Sequence, residues 1–230
     1  MSKLCQLFIC FLLCISSLTC YSTEFEEFTN TDNSSDTEEV YTNSFEESIE
    51  FLFQSNKTDE IINVLSEEPL LVKTQLYDKN TVLHVSCLNG KTQVLQFAVK
   101  QKLSLAVFNK NKQSLWHMAS MSKSSACLIF LLEQYMFAKN QDVIKTFLLS
   151  DSKNNSLIHY FLLHQQENIE LFKAILNISP ITFLDALNSE GYAPIHIAKS
   201  YNKLKLLELL RNAGANMNLK NKNNLSIFDY

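Results

Sequence analysis

Residues 188–216 read NSEGYAPIHIAKSYNKLKLLELLRNAGAN, and this stretch decides the fold. Gly191 precedes the string Ala193-Pro194-Ile195-His196, and apolar residues then recur at helical spacing up to Gly214. Proline is favoured in the first turn of a helix, and glycine is favoured just after its end. The stretch therefore predicts a turn followed by two short helices, the second of which ends before Gly214.

Related strings recur along the chain at regular distances. They are Thr81-Val82-Leu83-His84, Ser114-Leu115-Trp116-His117, Ser156-Leu157-Ile158-His159 and, with Asp in place of His, Ser226-Ile227-Phe228-Asp229. The strings end at positions 84, 117, 159, 196 and 229, so their spacing is 33, then 42, then 37 and then 33 again. A period near 33 predicts a stack of copies of one supersecondary unit.

The period of 33 and the Thr-Pro-Leu-His-like string resemble the ankyrin-repeat family. This resemblance implies an all-α fold, an α-solenoid whose units each contain a hairpin turn and two antiparallel helices. It covers residues 45–230, with cap helices at 45–75, repeats at about 76–108, 109–150, 151–187 and 188–220, and a partial repeat at 221–230. The longer spacings predict a short added helix within 138–149 and about four extra residues near 179–187.

Helical packing can be predicted within these units. Thr58 is the predicted N-cap of the second cap helix. Ala119 and Ala198 would allow the first helices of neighbouring repeats to approach closely. The second helices would bury rows of aliphatic residues such as Leu128, Ile129, Leu131 and Leu132.

The N-terminal segment 1–22 has the layout of a signal peptide. Lys3 precedes an apolar run over residues 4–18, and small or hydroxyl residues follow at Ser17, Thr19 and Ser22. We therefore predict that the protein is secreted or exported. Two alternatives stay open: a membrane anchor formed by residues 4–18, and a lipid attached to Cys20.

Charge is distributed unevenly along the chain. Residues 23–68 carry a balance of −13, whereas residues 69–230 carry +8. Residues 23–44 contain seven acids and no base, and we interpret them as an acidic disordered linker. An open alternative is that this linker folds back on basic turns and masks them.

Composition and motifs argue against several chemistries. The chain has three glycines and no Gly-rich phosphate loop, and it contains no HExxH or CxxC motif. We therefore predict no catalytic residues, no metal site and no cofactor. Outside the segment 1–22 the cysteines are Cys87 and Cys127, which we interpret as buried small hydrophobes and not as a disulfide framework.

The resemblance also assigns roles to individual side chains. It implies a structural role for the histidines of the string, whose rings would join neighbouring turns by hydrogen bonds: His84, His117, His159 and His196. Trp116 stands where the string usually has Leu, so we interpret it as a core residue.

The same resemblance places a partner-binding surface on the concave face and the turn tips. The concave positions lie one, four and five places after each string histidine: Val85, Leu88, Asn89, Met118, Met121, Ser122, Tyr160, Leu163, His164, Ile197, Ser200 and Tyr201. The turn tips carry Lys79, Lys110, Lys112, Lys153, Lys220 and Lys222.

These features predict an exported, monomeric, non-enzymatic protein that binds another protein, has no small-molecule substrate and acts as a host-directed effector or adaptor. Nucleic acid is not the predicted partner, because the basic residues are not interleaved with aromatic ones. The first alternative is a membrane-tethered structural or inhibitory protein. The second is an enzyme that uses the insert at 138–149.

Overall fold

Eleven α-helices and three short 3-10 helices follow one another in the computed structural model, which describes residues 52–53, 57–164 and 168–229. Within these residues there is no β-strand beyond one isolated bridge between Gln75 and Thr81. The predicted all-α class is therefore confirmed. The predicted signal peptide at 1–22 and acidic linker at 23–44 lie outside the described residues.

The helices occur as a cap, four pairs and two inserts. Helix α1 spans Thr58–Glu67, and a 3-10 helix follows at Pro69–Lys73. The four pairs are α2 (Val82–Leu88) and α3 (Thr92–Lys100), α4 (Leu115–Met121) and α5 (Ala126–Met136), α7 (Leu157–His164) and α8 (Ile169–Ile178), and α10 (Pro194–Ser200) and α11 (Leu204–Asn212). Between pairs lie α6 (Gln141–Phe147) and α9 (Ile181–Leu184), and the remaining 3-10 helices are Tyr77–Lys79 and Ile227–Asp229.

The first helix of each pair packs against the first helices of its neighbours, in the order α2, α4, α7 and α10. Ala119 and Ala198 are fully buried on these inner helices, where a small side chain allows two backbones to approach. The core therefore runs continuously from one repeat to the next.

The second helices cover the row of first helices with leucines, but one residue that was predicted to lie in the core is exposed. Leu128, Leu131 and Leu132 are buried on α5, whereas Ile129 is 45% exposed. Successive residues of a helix point about 100° apart, so Ile129 lies about 160° around the helix from the buried Leu131. The prediction that Ile129 is buried is wrong for this reason.

Helix α1 begins one residue earlier than the predicted cap allowed. Lys57 is the N-cap, its side chain makes no capping hydrogen bond, and Thr58 is the first helical residue. Asp59 and Glu60 lie in the first turn, where their negative charges interact favourably with the backbone N–H groups at the start of the helix. The prediction of Thr58 as N-cap is therefore wrong by one position.

The insert between the second and third repeats forms the predicted short helix, α6. Asn140 caps it by accepting hydrogen bonds from the N–H groups of Asp142 and Val143. Trp116 is fully buried and donates its indole N–H to the Val143 carbonyl at 3.0 Å. Its ring also meets Phe147 edge to face at 5.0 Å, so the tryptophan both fills the core and anchors α6.

The hairpin turns share one left-handed position, which is occupied by Lys79, Lys112, Asn154, Gly191 and Asn224. The intervals between these positions are the same as the intervals between the strings. Each turn therefore adopts its left-handed conformation at the same place in the repeat.

Backbone hydrogen bonds join consecutive turns. The N–H of Lys110 donates to Asp78 O at 2.9 Å, that of Ser152 to Asn111 O at 2.8 Å, and that of Ser189 to Lys153 O at 2.8 Å. The turn tips thus form a connected edge over these four repeats.

Gly191→Ala should destabilise the protein by roughly 1–3 kcal/mol, because two penalties combine. The residue has φ +79°, and an added Cβ would lie 2.5 Å from Lys222 Cβ and 2.9 Å from the Lys222 backbone nitrogen. Gly214→Ala is the matched control, since Gly214 has φ +96° but the nearest atom to its added Cβ would be 3.7 Å away. Urea denaturation gives both free energies of unfolding, and equal losses would contradict the role of close turn packing.

Candidate protein-interaction surface

The four string histidines make the same local contact. In each case the ring Nδ1 accepts a hydrogen bond from the backbone N–H three residues earlier. The donors are Thr81 at 3.1 Å, Ser114 at 3.0 Å, Ser156 at 3.1 Å and Ala193 at 3.1 Å. This contact ties the start of each inner helix to its first turn.

For His84, His117 and His159 the other ring nitrogen reaches the following repeat, and for His196 it reaches Leu219 near the end of the same repeat. Because Nδ1 accepts, the proton lies on Nε2, which donates to a backbone carbonyl. The acceptors are Gln113 O at 3.1 Å for His84, Asn155 O at 3.1 Å for His117, Tyr192 O at 3.1 Å for His159 and Leu219 O at 3.0 Å for His196. We call this series the histidine ladder. It gives the four rings the structural role that the resemblance implies.

Burial suppresses the basicity of these rings. Desolvation lowers the pKa values of His84, His117 and His159 to about 4, and it also lowers the pKa of His196. All four side chains have no exposed surface. The rings are therefore neutral near pH 7 and both nitrogens are engaged, so none is placed to act as a general base toward a substrate.

Asp229 takes the place of histidine in the last string. Its carboxylate accepts hydrogen bonds from the N–H and the hydroxyl of Ser226, both at 2.7 Å. These bonds lower the pKa of Asp229 below its usual range. A carboxylate reproduces the local contact of the histidine but has no proton to donate onward.

The structure contradicts the expected exposure of four of the twelve predicted concave residues. Met118, Ser122, Tyr160 and Ile197 are 4%, 1%, 8% and 6% exposed. Neighbouring inner helices pack close enough to cover the position directly after three of the histidines. Ser122 is held in its turn by accepting a hydrogen bond from the Ser124 N–H at 3.1 Å.

The other eight predicted concave residues are at least partly accessible. Leu88, Asn89, His164, Ser200 and Tyr201 are exposed, and Val85, Met121 and Leu163 are half-buried. We call these eight residues the inner surface. The His164 ring stacks on Tyr160 at 5.9 Å, and partial burial together with Lys203 lowers its pKa, so it too is neutral near pH 7.

Tyr160 is buried because its hydroxyl belongs to a polar network. It donates to Asp151 Oδ2 at 2.6 Å and accepts from Gln113 Nε2 at 2.7 Å. Burial and the Asp151 contact raise the pKa of Tyr160 to about 12. This network was not predicted, although the sequence contains a signal for it: Asp151 stands at the turn position that Asn109, Asn188 and Asn221 occupy in the other repeats.

The six turn-tip lysines are all exposed, as a binding or solubilising role requires. Lys110 pairs with Asp78 of the preceding turn at 3.6 Å, a weak contact between exposed groups. The tips therefore present a positively charged edge beside the inner surface.

Polar contacts attach the insert helix α6 to residues 104 and 105. Asp142 Oδ2 accepts hydrogen bonds from the Ser104 hydroxyl at 2.6 Å and from the Leu105 N–H at 3.0 Å.

Across the described part of the chain, no group of three or more His, Cys, Asp or Glu residues could hold a metal ion. No helix among the described residues is long and apolar enough to cross a membrane.

Sequence comparison agrees with this geometry. The family model described as Ankyrin repeat matches residues 190–222, the repeat with the most complete string. The matched residues are an ankyrin repeat, and the other three helix pairs stack on it in series. Ankyrin repeats bind proteins and are typically not enzymes, so protein–protein interaction is the function that the family implies.

A curated relative extends the similarity over more of the chain. "Putative E3 ubiquitin-protein ligase XBAT31" of Arabidopsis thaliana is 25% identical over 177 residues. The match covers 71% of the chain and 37% of the plant protein. The chain thus spans just over a third of the length of this relative.

Mild acid should weaken the fold through the histidine ladder. The pKa of about 4 in the folded state lies below the ordinary value of 6.5, so the unfolded chain takes up protons first. The stabilisation is complete above pH 6.5 and is lost as the pH falls toward 4, by up to about 1.4 kcal/mol per pH unit for each histidine. Urea denaturation from pH 7 to pH 4 measures the slope.

A substitution isolates the contribution of one ring. His117→Gln should be less stable at pH 7 but should lose stability less steeply below pH 6.5, because it removes one titrating group. His164→Gln is the comparison, since His164 is exposed and lies outside the ladder; its pKa is lowered less than that of His117, so the slope should change less. Parallel slopes for the wild type and His117→Gln would refute the assignment.

Proposed function

We propose that this ankyrin-repeat protein is an exported, non-enzymatic adaptor that binds a partner protein through its inner surface and turn tips. The partner would belong to a host cell, which makes the protein a host-directed effector. The same proposal includes a monomeric state, because the repeats bury their apolar faces against one another within one chain.

The observation that carries the proposal is the exposure of apolar side chains on the inner helices. Leu88 is 41% exposed and Tyr201 is 58% exposed, at the first and fourth repeats, and half-buried Met121 and Leu163 lie between them. Apolar area of this kind gains about 25 cal/mol per Å² when a partner removes it from water. Aromatic residues and methionine are enriched at protein interfaces.

The lysines of the turn tips support the choice of a protein with an acidic surface. Exposed charges near an apolar patch contribute little binding energy but raise the association rate and orient the partner. We therefore expect association to slow as ionic strength rises, since the lysines are fully accessible to salt.

Export rests on the sequence of residues 1–22, with its short apolar run after Lys3. The competing proposal is a structural or inhibitory protein tethered to a membrane by residues 4–18. Both proposals assign the same role to the repeats, so they differ in location and not in recognition. The name of the Arabidopsis relative belongs to a longer protein, of which the match covers 37%.

Affinity capture from host-cell extract, read by mass spectrometry, tests the adaptor function. The bait is residues 23–230, compared with a variant carrying Leu88→Ser, Leu163→Ser and Tyr201→Ser. A partner held by the inner surface should be captured by the first bait and reduced at least about tenfold with the second, since each lost apolar contact costs around 1 kcal/mol or more.

The matched control changes Ile129→Ser and Phe137→Ser, which are 45% and 79% exposed on or just after the outer helix α5. This control should capture the partner as well as the wild type does. Circular dichroism verifies that all three baits fold. Loss of capture with the outer variant alone would refute the inner surface as the binding site.

The location is tested by sequencing the N-terminus of the protein that the producing cells make. A protein recovered from the medium and starting between Thr19 and Thr23 would support export. An intact N-terminus in the membrane fraction would favour the tethered alternative.

A further inference from the structure

Two cysteines that are far apart in sequence meet in the core. Cys87 lies on α2 of the first repeat and Cys127 on α5 of the second, and both are fully buried. The Cys127 thiol donates to the carbonyl of Ser86, the residue bonded to Cys87, at 3.7 Å, and burial together with the neighbouring Cys127 thiol raises the pKa of Cys87. The interface between the first two repeats thus contains two neighbouring thiols.

We propose that Cys87 and Cys127 form a disulfide when the chain folds in an oxidising compartment. The bond would link the first repeat to the second and close a loop that contains the whole segment 88–126. The interpretation of these residues as unlinked small hydrophobes would then hold for the reduced protein alone.

The oxidant is a low-molecular-weight disulfide such as oxidised glutathione. The thiolate of one cysteine attacks it, which forms a mixed disulfide and releases one thiol. The second cysteine then displaces the other thiol and forms the Cys87–Cys127 bond. The two cysteine thiols lose two electrons and two protons in total. One glutathione disulfide takes up both electrons and both protons and becomes two glutathione thiols.

The surroundings tolerate this change. Oxidation removes the S–H that donates to Ser86 O, but this carbonyl also accepts the Lys91 N–H at 2.8 Å and keeps that partner. Cys127 stands ten positions after its string histidine, at the core position that Val94 and Leu206 occupy in two other repeats. A disulfide at this place therefore buries apolar sulfur without leaving a polar group unpaired.

Burial controls when the bond can form. Desolvation and the neighbouring Cys127 thiol raise the pKa of Cys87 above its ordinary value, so the folded dithiol holds little reactive thiolate. Oxidation therefore takes place while the chain is folding. The finished bond, with no exposed surface at either residue, would be shielded from reductants.

This inference goes beyond the proposed function, because it requires no partner. Export would supply the oxidising compartment in cells, whereas a purified chain can be tested in a defined redox buffer. A failure of the disulfide would leave the capture experiment unaffected, and a failure of capture would leave the disulfide unaffected.

The test uses the full chain with Cys5, Cys10, Cys14 and Cys20 changed to Ser, so that two thiols remain. The protein is refolded from urea in mixtures of reduced and oxidised glutathione and is then denatured in N-ethylmaleimide. The expected product carries no maleimide, and its tryptic digest contains Cys87 and Cys127 in linked peptides. The oxidation constant should be roughly 100-fold larger in folding buffer than in urea, and Tm should rise by roughly 5–10 °C.

The matched control is Cys127→Val in the same background, which keeps the core filled with the residue found at Val94. It should fold, show no linked peptide and have the same Tm in both buffers. Two maleimide groups per chain at every glutathione ratio in a protein folded by circular dichroism would overturn the proposal. An oxidation constant equal to that in urea, or chains linked to each other or to glutathione, would overturn it too.

Discussion

The hydrogen bond that His84, His117 and His159 each make to a carbonyl of the next repeat is the interaction on which the stack depends. Apolar contacts between neighbouring repeats are not directional, and they would tolerate small sliding of one inner helix over another. A bond of about 3 Å between a ring nitrogen and a backbone oxygen fixes the register. The same ring caps its own helix, so local and long-range order come from one side chain.

Register at the turns follows from this constraint. Once the inner helices are aligned, consecutive turns lie close enough for backbone hydrogen bonds between residues beside the shared left-handed positions. The side chains of Asn109 and Asn188 add a second set of links, because they donate to Asn80 and Asn155 of the preceding turns at 3.0 and 2.9 Å. The polar side of the stack is therefore as ordered as its apolar core.

The sequence predicted the features that follow from period and composition, and it missed those that depend on how side chains of different repeats pack. The strings, the short helix α6 and the buried Trp116 could be read from period and composition, because each depends on nearby residues. The burial of Tyr160 and the contact between the surroundings of Cys87 and Cys127 depend on how two repeats pack. The order of residues along the chain does not show which residues of different repeats lie close together. Ile129 was wrongly predicted to be buried, because a run of apolar residues does not show which of them faces outward.

The distribution of burial along the histidine ladder has a consequence for how the stack comes apart. Terminal repeats have one neighbour, so heat and urea act on the ends of a solenoid first. Protons act differently here, because the pKa values of His84, His117 and His159 are all lowered to about 4, and two of these rings lie in interior repeats. Acid would therefore place its penalty inside the array as well as at its first repeat, so the loss of stability would not be confined to fraying at the ends.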